Sequence, residues 1–258
     1  MVHRLRSLLS HPATRDLSVD DPRTTERRRA IIQSNSFLKQ IYDEWYRVIA
    51  AAIPAGPGAV LELGSGAGFL AAYVPGLIAS EVFACPDIQL VLDARRLPFA
   101  SGSLRAIAMV DVMHHIPDCR LFLREARRCL RPGGAIAMVE PWVSTWSRPI
   151  YARLHHEPFD PAAPDWTFPD SGPLSGANGA LPWMIFERDR AEFEAEFPEL
   201  QLRTVRPFMP FRYLVSGGVS MRQLMPRATF PLWRGVESVL CRWPRAWSMF
   251  AFVHLMRR

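Results

Sequence analysis

Apolar positions along this chain recur with two different periods, and the switch between them outlines the fold. Phe37, Ile41, Trp45, Val48 and Ile49 repeat at helical spacing. Ser34 or Ser36 can cap that helix, and Pro54 with the Gly56-Pro57-Gly58 turn stops it. The unbroken run Ala59-Val60-Leu61-Glu62-Leu63 then predicts a buried strand. A glycine turn ends it, and Phe69 to Val74 are expected to start a helix that Pro75 and Gly76 cut short. Further strands are expected at Glu81 to Cys85, near Gln89 to Leu92, at Ala106 to Val110 and at Ala135 to Val139. Between the last two, Asp118 can cap a helix carrying Leu121, Phe122, Ala126, Cys129 and Leu130 on one face.

Strand and helix thus alternate over 59–140, which predicts a doubly wound parallel sheet. Such sheets build their sites at the carboxyl ends of the strands. Glu62, the segment Cys85 to Asp87, Asp93, Asp111 and Glu140 all fall at or near such ends. Residues 1–33 are polar and arginine-rich and read as a loosely docked arm. Residues 34–258 read as one domain, with a core over 59–140. A cap is expected from 141–185, rich in Pro, Gly, Trp and His, and from the apolar segment 208–246. A helix around Arg188 to Phe197, a strand at Leu200 to Val205 and a last strand at Ser248 to Leu255 complete the reading.

Composition narrows the class. The 258 residues are 49% hydrophobic and 22% charged, enough for a full core and against disorder. The net charge of +6 is almost all arginine, since Lys39 is the only lysine. No basic block or nucleic-acid motif accompanies it, so no nucleic-acid partner is expected. Four scattered cysteines without a C-x-x-C pair suit a reducing cytoplasm. No window has the ~18 apolar residues of a spanning helix, so a cytoplasmic protein is expected.

The stretch ELGSGAG, residues 62–68, carries the first chemical signal. A nicotinamide or flavin turn wants G-x-G-x-x-G, but that third position holds Phe69, with the glycine at 68 instead. No GK[ST] follows, which excludes a Walker loop. G-x-G-x-G with an acid two residues upstream resembles motif I of the class I S-adenosylmethionine methyltransferases. The resemblance continues through Asp93-Ala94-Arg95-Arg96-Leu97-Pro98-Phe99, the loop Val112-Met113-His114-His115-Ile116 and the turn Leu130-Arg131-Pro132-Gly133-Gly134. These stretches are similar, in order, to those of the type 11 small-molecule methyltransferase group.

The resemblance implies a Rossmann-like, doubly wound, seven-stranded, mostly parallel α/β sheet with an inserted cap. It implies S-adenosyl-L-methionine as cofactor, with S-adenosyl-L-homocysteine as product. Glu62, Gly64, Ser65, Gly66, Gly68, Asp87, Asp93, Ala94 and Asp111 are the expected cofactor contacts. Asp93 would accept from the adenine amine and the next N–H would meet the ring. The chain departs from the family where the first two strands are joined and in the compressed stretch up to Asp93. Asp87, in Cys85-Pro86-Asp87, is the candidate for gripping the ribose there.

Methyl transfer needs an aligned nucleophile and, for O or N acceptors, removal of a proton. His115, His155, His156 and Glu157 are the candidates. The run His155-His156-Glu157 lacks the i, i+4 spacing of H-E-x-x-H, so no metal is expected. Trp142, Trp146, Trp166 and Trp183 either line a pocket for a flat acceptor or pack the insertion. Trp233, Trp243 and Trp247 with Arg234, Arg242 and Arg245 either cap the domain or touch a membrane surface. The expected activity is methyl transfer to O, N or C of a small aromatic or lipophilic molecule. The alternative is an inactive partner subunit that keeps the fold, and the pattern does not fix an oligomeric state.

Overall fold

A computed structural model describes residues 10–155, 157–172 and 174–258. Its centre is a seven-stranded sheet in the order β3-β2-β1-β4-β5-β7-β6. The strands are β1 (Ala59–Leu63), β2 (Leu77–Glu81), β3 (Leu90–Val91), β4 (Leu104–Val110), β5 (Leu130–Pro141), β6 (Leu200–Phe208) and β7 (Phe250–Arg257). β1 to β5 run parallel, and β7 inserts antiparallel between β5 and β6. The doubly wound, mostly parallel sheet expected from the alternation is what forms.

Side chains of a strand point alternately to opposite faces. Val60, Ala106, Ala108, Ala137 and Val139 therefore join one apolar layer, while Leu61, Leu63, Ile107, Met109, Ile136 and Met138 join the other. The α-helices of five residues or more among the described residues are α1 (Pro22–Ser34), α2 (Ser36–Ala52), α3 (Cys119–Cys129), α4 (Ser147–Leu154), α5 (Arg190–Glu196), α6 (Arg212–Ser216) and α7 (Phe230–Leu240). α2 covers the first layer with Phe37, Ile41, Trp45 and Ile49, as its periodicity predicts. Its cap is Asn35, whose side chain accepts from the N–H groups of Phe37 and Leu38, and neither serine fills that role. α3 covers the second layer with Phe122, Leu123 and Ala126.

Three sequence expectations shift. The second strand ends at Glu81 instead of starting there, because the apolar run Leu77-Ile78-Ala79 pairs with Val60 to Glu62. The helix expected from Phe69 is a single 3-10 turn, Leu70–Ala72. The arm is not loose over its second half. Pro22–Ser34 is a helix capped by Asp21, with Ile31 and Ile32 in the core. Asp20 accepts from the N–H groups of Leu174 and Ser175, which ties the arm to the insertion.

The insertion is part of the core. Trp142 and Trp166 are buried in the second layer, and Trp166 donates to Asp189 under the Arg120 guanidinium. Trp146 donates to the Pro210 carbonyl. Core packing, not a pocket lining, is what these tryptophans do. In the segment 208–246, Glu237 is buried against Arg212. α7 turns Leu232, Val236 and Val239 outward, and Trp243 beyond it is 59% exposed. No described helix is long and apolar enough to cross a membrane.

Candidate active site

A cavity of about 190 Å³ opens at the carboxyl ends of the parallel strands, where a doubly wound sheet places its ligands. Glu62, Gly64, Gly68, Asp93, Ala94, Asp111, His115, His155 and Glu157 all line it. Most of the expected residues are thus gathered in one place from four separate chain segments.

The glycine turn is shaped by its own neighbours. Gly64 adopts φ +64°, and a Cβ there would come within 2.4 Å of Val112. A Cβ on Gly68 would come within 2.4 Å of the Tyr46 hydroxyl. Only glycine leaves room for that approach. Ser65 and Gly66 sit behind the wall: the Ser65 Oγ accepts from the Ser80 N–H, and the Gly66 carbonyl accepts from Arg29 at 2.8 Å. The N–H groups of Gly68 and Phe69 are taken by Ser65 O and Tyr46 Oη. With a single 3-10 turn following, no helix start offers its N–H groups to an anion here.

Asp87 does not line the cavity. Its side chain is 76% exposed and pairs with Arg29. The acid that does line the cavity on this side is Glu81, at the end of β2, buried and facing Gly66. Pattern reasoning missed it because the strand was read as beginning there. The available signal was the repeat of an apolar run ending in glutamate: Ala59 to Glu62, then Leu77 to Glu81. Thr25, Arg28, Tyr42, Tyr46 and Tyr213 also line the cavity without having been singled out. Arg28 comes from the arm, and its Nε lacks a hydrogen-bond partner among the described residues.

The charges of the site are displaced by burial. Burial pushes the Glu62 carboxyl up to about 7, with Ser65 and Arg29 opposing and Glu81 adding to the shift. Burial likewise raises Glu81 and takes Asp111 to about 6. Asp111 holds φ +62° and fixes its backbone by donating to the Val139 carbonyl. Asp93 is held below the usual carboxylate range, since bonds from Arg95 outweigh its partial burial.

The loop after β4 brings His114 and His115 together, with ring centres 4.2 Å apart. His114 is fully buried and its Nδ1 lies 2.8 Å from Glu140. Burial alone would depress its imidazole, but Glu140 on one nitrogen and Glu157 beside the other hold it well above the ordinary value. Burial and the neighbouring His114 push His115 down to about 4, so it is neutral at pH 7. Its Nδ1 lies 3.2 Å from the Gly176 carbonyl. Glu157 reaches all three imidazoles: His114 at 3.4 Å, His115 at 3.6 Å and His155 at 3.4 Å. His156 lies outside the described residues.

Residues 61–138 match a family model described as a methyltransferase domain. This part of the chain, under a third of its length, is similar to that family. The cofactor of this domain family is S-adenosylmethionine. Over 117 residues the chain is 32% identical to a demethylmenaquinone methyltransferase of Beutenbergia cavernae, covering 38% of this chain and 49% of that protein. Over 46 residues it is 39% identical to 27-O-demethylrifamycin SV methyltransferase of Amycolatopsis mediterranei, covering 18% and 17%. The chain thus spans half or less of the curated relatives it matches. The chain shares its fold with geranyl diphosphate C-methyltransferase from Streptomyces coelicolor. That structure has a TM-score of 0.51 at 13% identity, over 98% of this chain and 88% of that one.

The cavity suits the charge pattern of the family's cofactor. Two buried carboxyl groups, Glu62 and Glu81, line it and can accept from an ammonium and from hydroxyls. Arg28 brings a guanidinium to the same cavity.

Proposed function

We propose that this protein transfers the methyl group of S-adenosylmethionine to a small aromatic or lipophilic molecule. The observation that carries the reading is the convergence of Glu62, Glu81, Arg28 and Asp93 on one cavity at the strand ends. When bound, the cofactor supplies an electrophilic methyl group on a sulfonium. Glu62 would hold its ammonium, Arg28 its carboxylate and Glu81 the ribose hydroxyls. Asp93, kept ionised by Arg95, would accept from the adenine amine, and Ala94 would offer its N–H to the ring. Asp87 is not part of this set.

The acceptor side lies toward a smaller cavity of about 50 Å³ lined by Ile150, Tyr151, Leu154, Met249 and Phe250. Both cavities share Asp111, His155, Tyr213 and Ser220. An apolar annex beside a polar mouth favours a lipophilic body with one reactive polar atom. Neutral His115, Glu157 and His155 are placed to take the proton that atom loses. The outward row Leu232, Val236 and Val239, near Trp243 and the exposed Arg234, Arg242 and Arg245, supports delivery of such an acceptor from an anionic membrane surface.

Calorimetric titration with S-adenosylmethionine and S-adenosylhomocysteine tests the cofactor assignment. Micromolar binding is expected, weakened at least tenfold in Asp93→Ala, Glu81→Gln and Arg28→Ala. A folded wild-type protein that binds neither compound overturns the reading.

A further inference from the structure

The pair His114-His115 and the distant Glu157 form a cluster that the proton-transfer role does not exhaust. Glu140 fixes the first imidazole. One of its oxygens accepts the N–H groups of Val112 and Met113 at 2.9 and 2.8 Å, and the other faces His114 Nδ1. With that oxygen as the acceptor, the hydrogen sits on Nδ1. The Gly176 carbonyl can only accept, so His115 also carries its hydrogen on Nδ1. Both rings therefore turn Nε2 toward Glu157.

That arrangement is unbalanced. His114 Nε2 is fully buried and has no hydrogen-bond partner among the described residues. Two ring nitrogens and one carboxylate that converge this closely call for a cation between them, a proton or a metal ion. A proton on His114 relieves one contact, whereas a divalent ion relieves all of them. The spacing suits the ion. Ligand atoms held at about 2.0–2.1 Å from a tetrahedral zinc stand roughly 3.4 Å apart. Here Glu157 oxygens lie 3.4 Å from His114 Nε2 and 3.6 Å from His115 Nε2, and the three donor atoms all fall within 4.8 Å of one another. Glu140 behind His114 is the outer carboxylate that metal-binding histidines commonly have.

We propose that His114, His115 and Glu157 form a site for a divalent first-row transition metal, Zn²⁺ or Co²⁺ by its N₂O donor set. His115 and Glu157 line the cavity, so the remaining coordination position opens onto it. An acceptor hydroxyl bound there would have its pKa lowered by the ion, and a carbonyl would be polarised by it. That use rests on the methyl-transfer reading, but metal binding itself does not.

The test strips the full chain with EDTA, then titrates it with CoCl₂ by visible absorption and with ZnCl₂ by calorimetry. One equivalent is expected, with the Co²⁺ bands of a four-coordinate site. Glu157→Gln and His115→Ala should each weaken uptake at least tenfold, and Glu140→Gln by 10- to 100-fold, with folding followed by circular dichroism. No uptake, or uptake unchanged in folded variants, overturns the site, as does a ¹⁵N imidazole shift showing His114 Nε2 still protonated in excess Zn²⁺. S-adenosylhomocysteine titrated into the same wild-type sample separates the two readings. Cofactor binding without metal uptake sinks only the metal site, and metal uptake without cofactor binding sinks only the methyltransferase assignment.

Discussion

Glu62 is buried beside a second carboxylate, and its carboxyl titrates near 7 instead of its ordinary 4.5. The folded chain therefore binds that proton more tightly than the unfolded chain does. Between pH 4.5 and about 7 this contribution to stability falls as pH rises, by at most about 3 kcal/mol, and it is level above that range. Ionised Glu62 is the form that suits an ammonium. Cofactor affinity should therefore rise as pH climbs through 7, and the melting-temperature gain on adding S-adenosylhomocysteine should be larger at pH 8 than at pH 6. Glu62→Gln should flatten the pH dependence of both quantities and weaken binding. A pH profile that Glu62→Gln leaves unchanged would assign the titration to Asp111, which burial shifts in the same direction.

At the scale of elements, α1 does what the short β1–β2 connection cannot. Arg29 reaches from it to the Gly66 carbonyl and to Asp87, bracketing the glycine turn from outside. Arg28 on the same helix enters the cavity. Arg29→Ala should leave the melting temperature nearly unchanged, since the Asp87 pair is exposed, yet speed amide exchange over residues 64–69 and weaken cofactor binding. The junction between α1 and α2 is Asn35, which caps α2 and donates to the Ser216 carbonyl. Asn35→Ala should cost about 1–2 kcal/mol in chemical denaturation, because a cap and a buried hydrogen bond are lost together. The helix pattern of α2 was legible because one periodic face meets one apolar layer. α1 was not, because an arginine-rich helix shows little amphipathicity when its function is to reach polar groups.

Across the whole molecule, a buried ion pair organises the C-terminal segment and helps tie it to α2. Glu237 accepts from the N–H groups of Phe211 and Arg212 and pairs with the Arg212 guanidinium, which also reaches Glu44 of α2 at 2.7 Å. Glu237→Ala leaves that arginine buried without its main partner and should destabilise the fold by about 3–5 kcal/mol, read from urea unfolding. The outward face of α7 makes a separate prediction. The protein should sediment with vesicles containing phosphatidylglycerol more than with neutral ones, less so at high salt. Val236→Glu with Trp243→Ala should abolish that difference without altering cofactor binding. Sedimentation that ignores lipid charge would remove membrane delivery from the proposal.

The alternation of strand and helix, the G-x-G-x-G turn and the four ordered stretches over 59–140 were determined by local sequence. Each depends on neighbours within a few residues, where periodicity and turn chemistry act. The sheet order, the end of β2 at Glu81, the entry of Arg28 into the cavity and the meeting of His114, His115 and Glu157 were decided only by tertiary structure. Strand register follows from burial against partners far along the chain. A charged side chain acquires its role from what the folded chain sets opposite it. Nothing within a few residues of Glu157 could have paired it with histidines forty residues away; the insertion's packing against the loop after β4 does so.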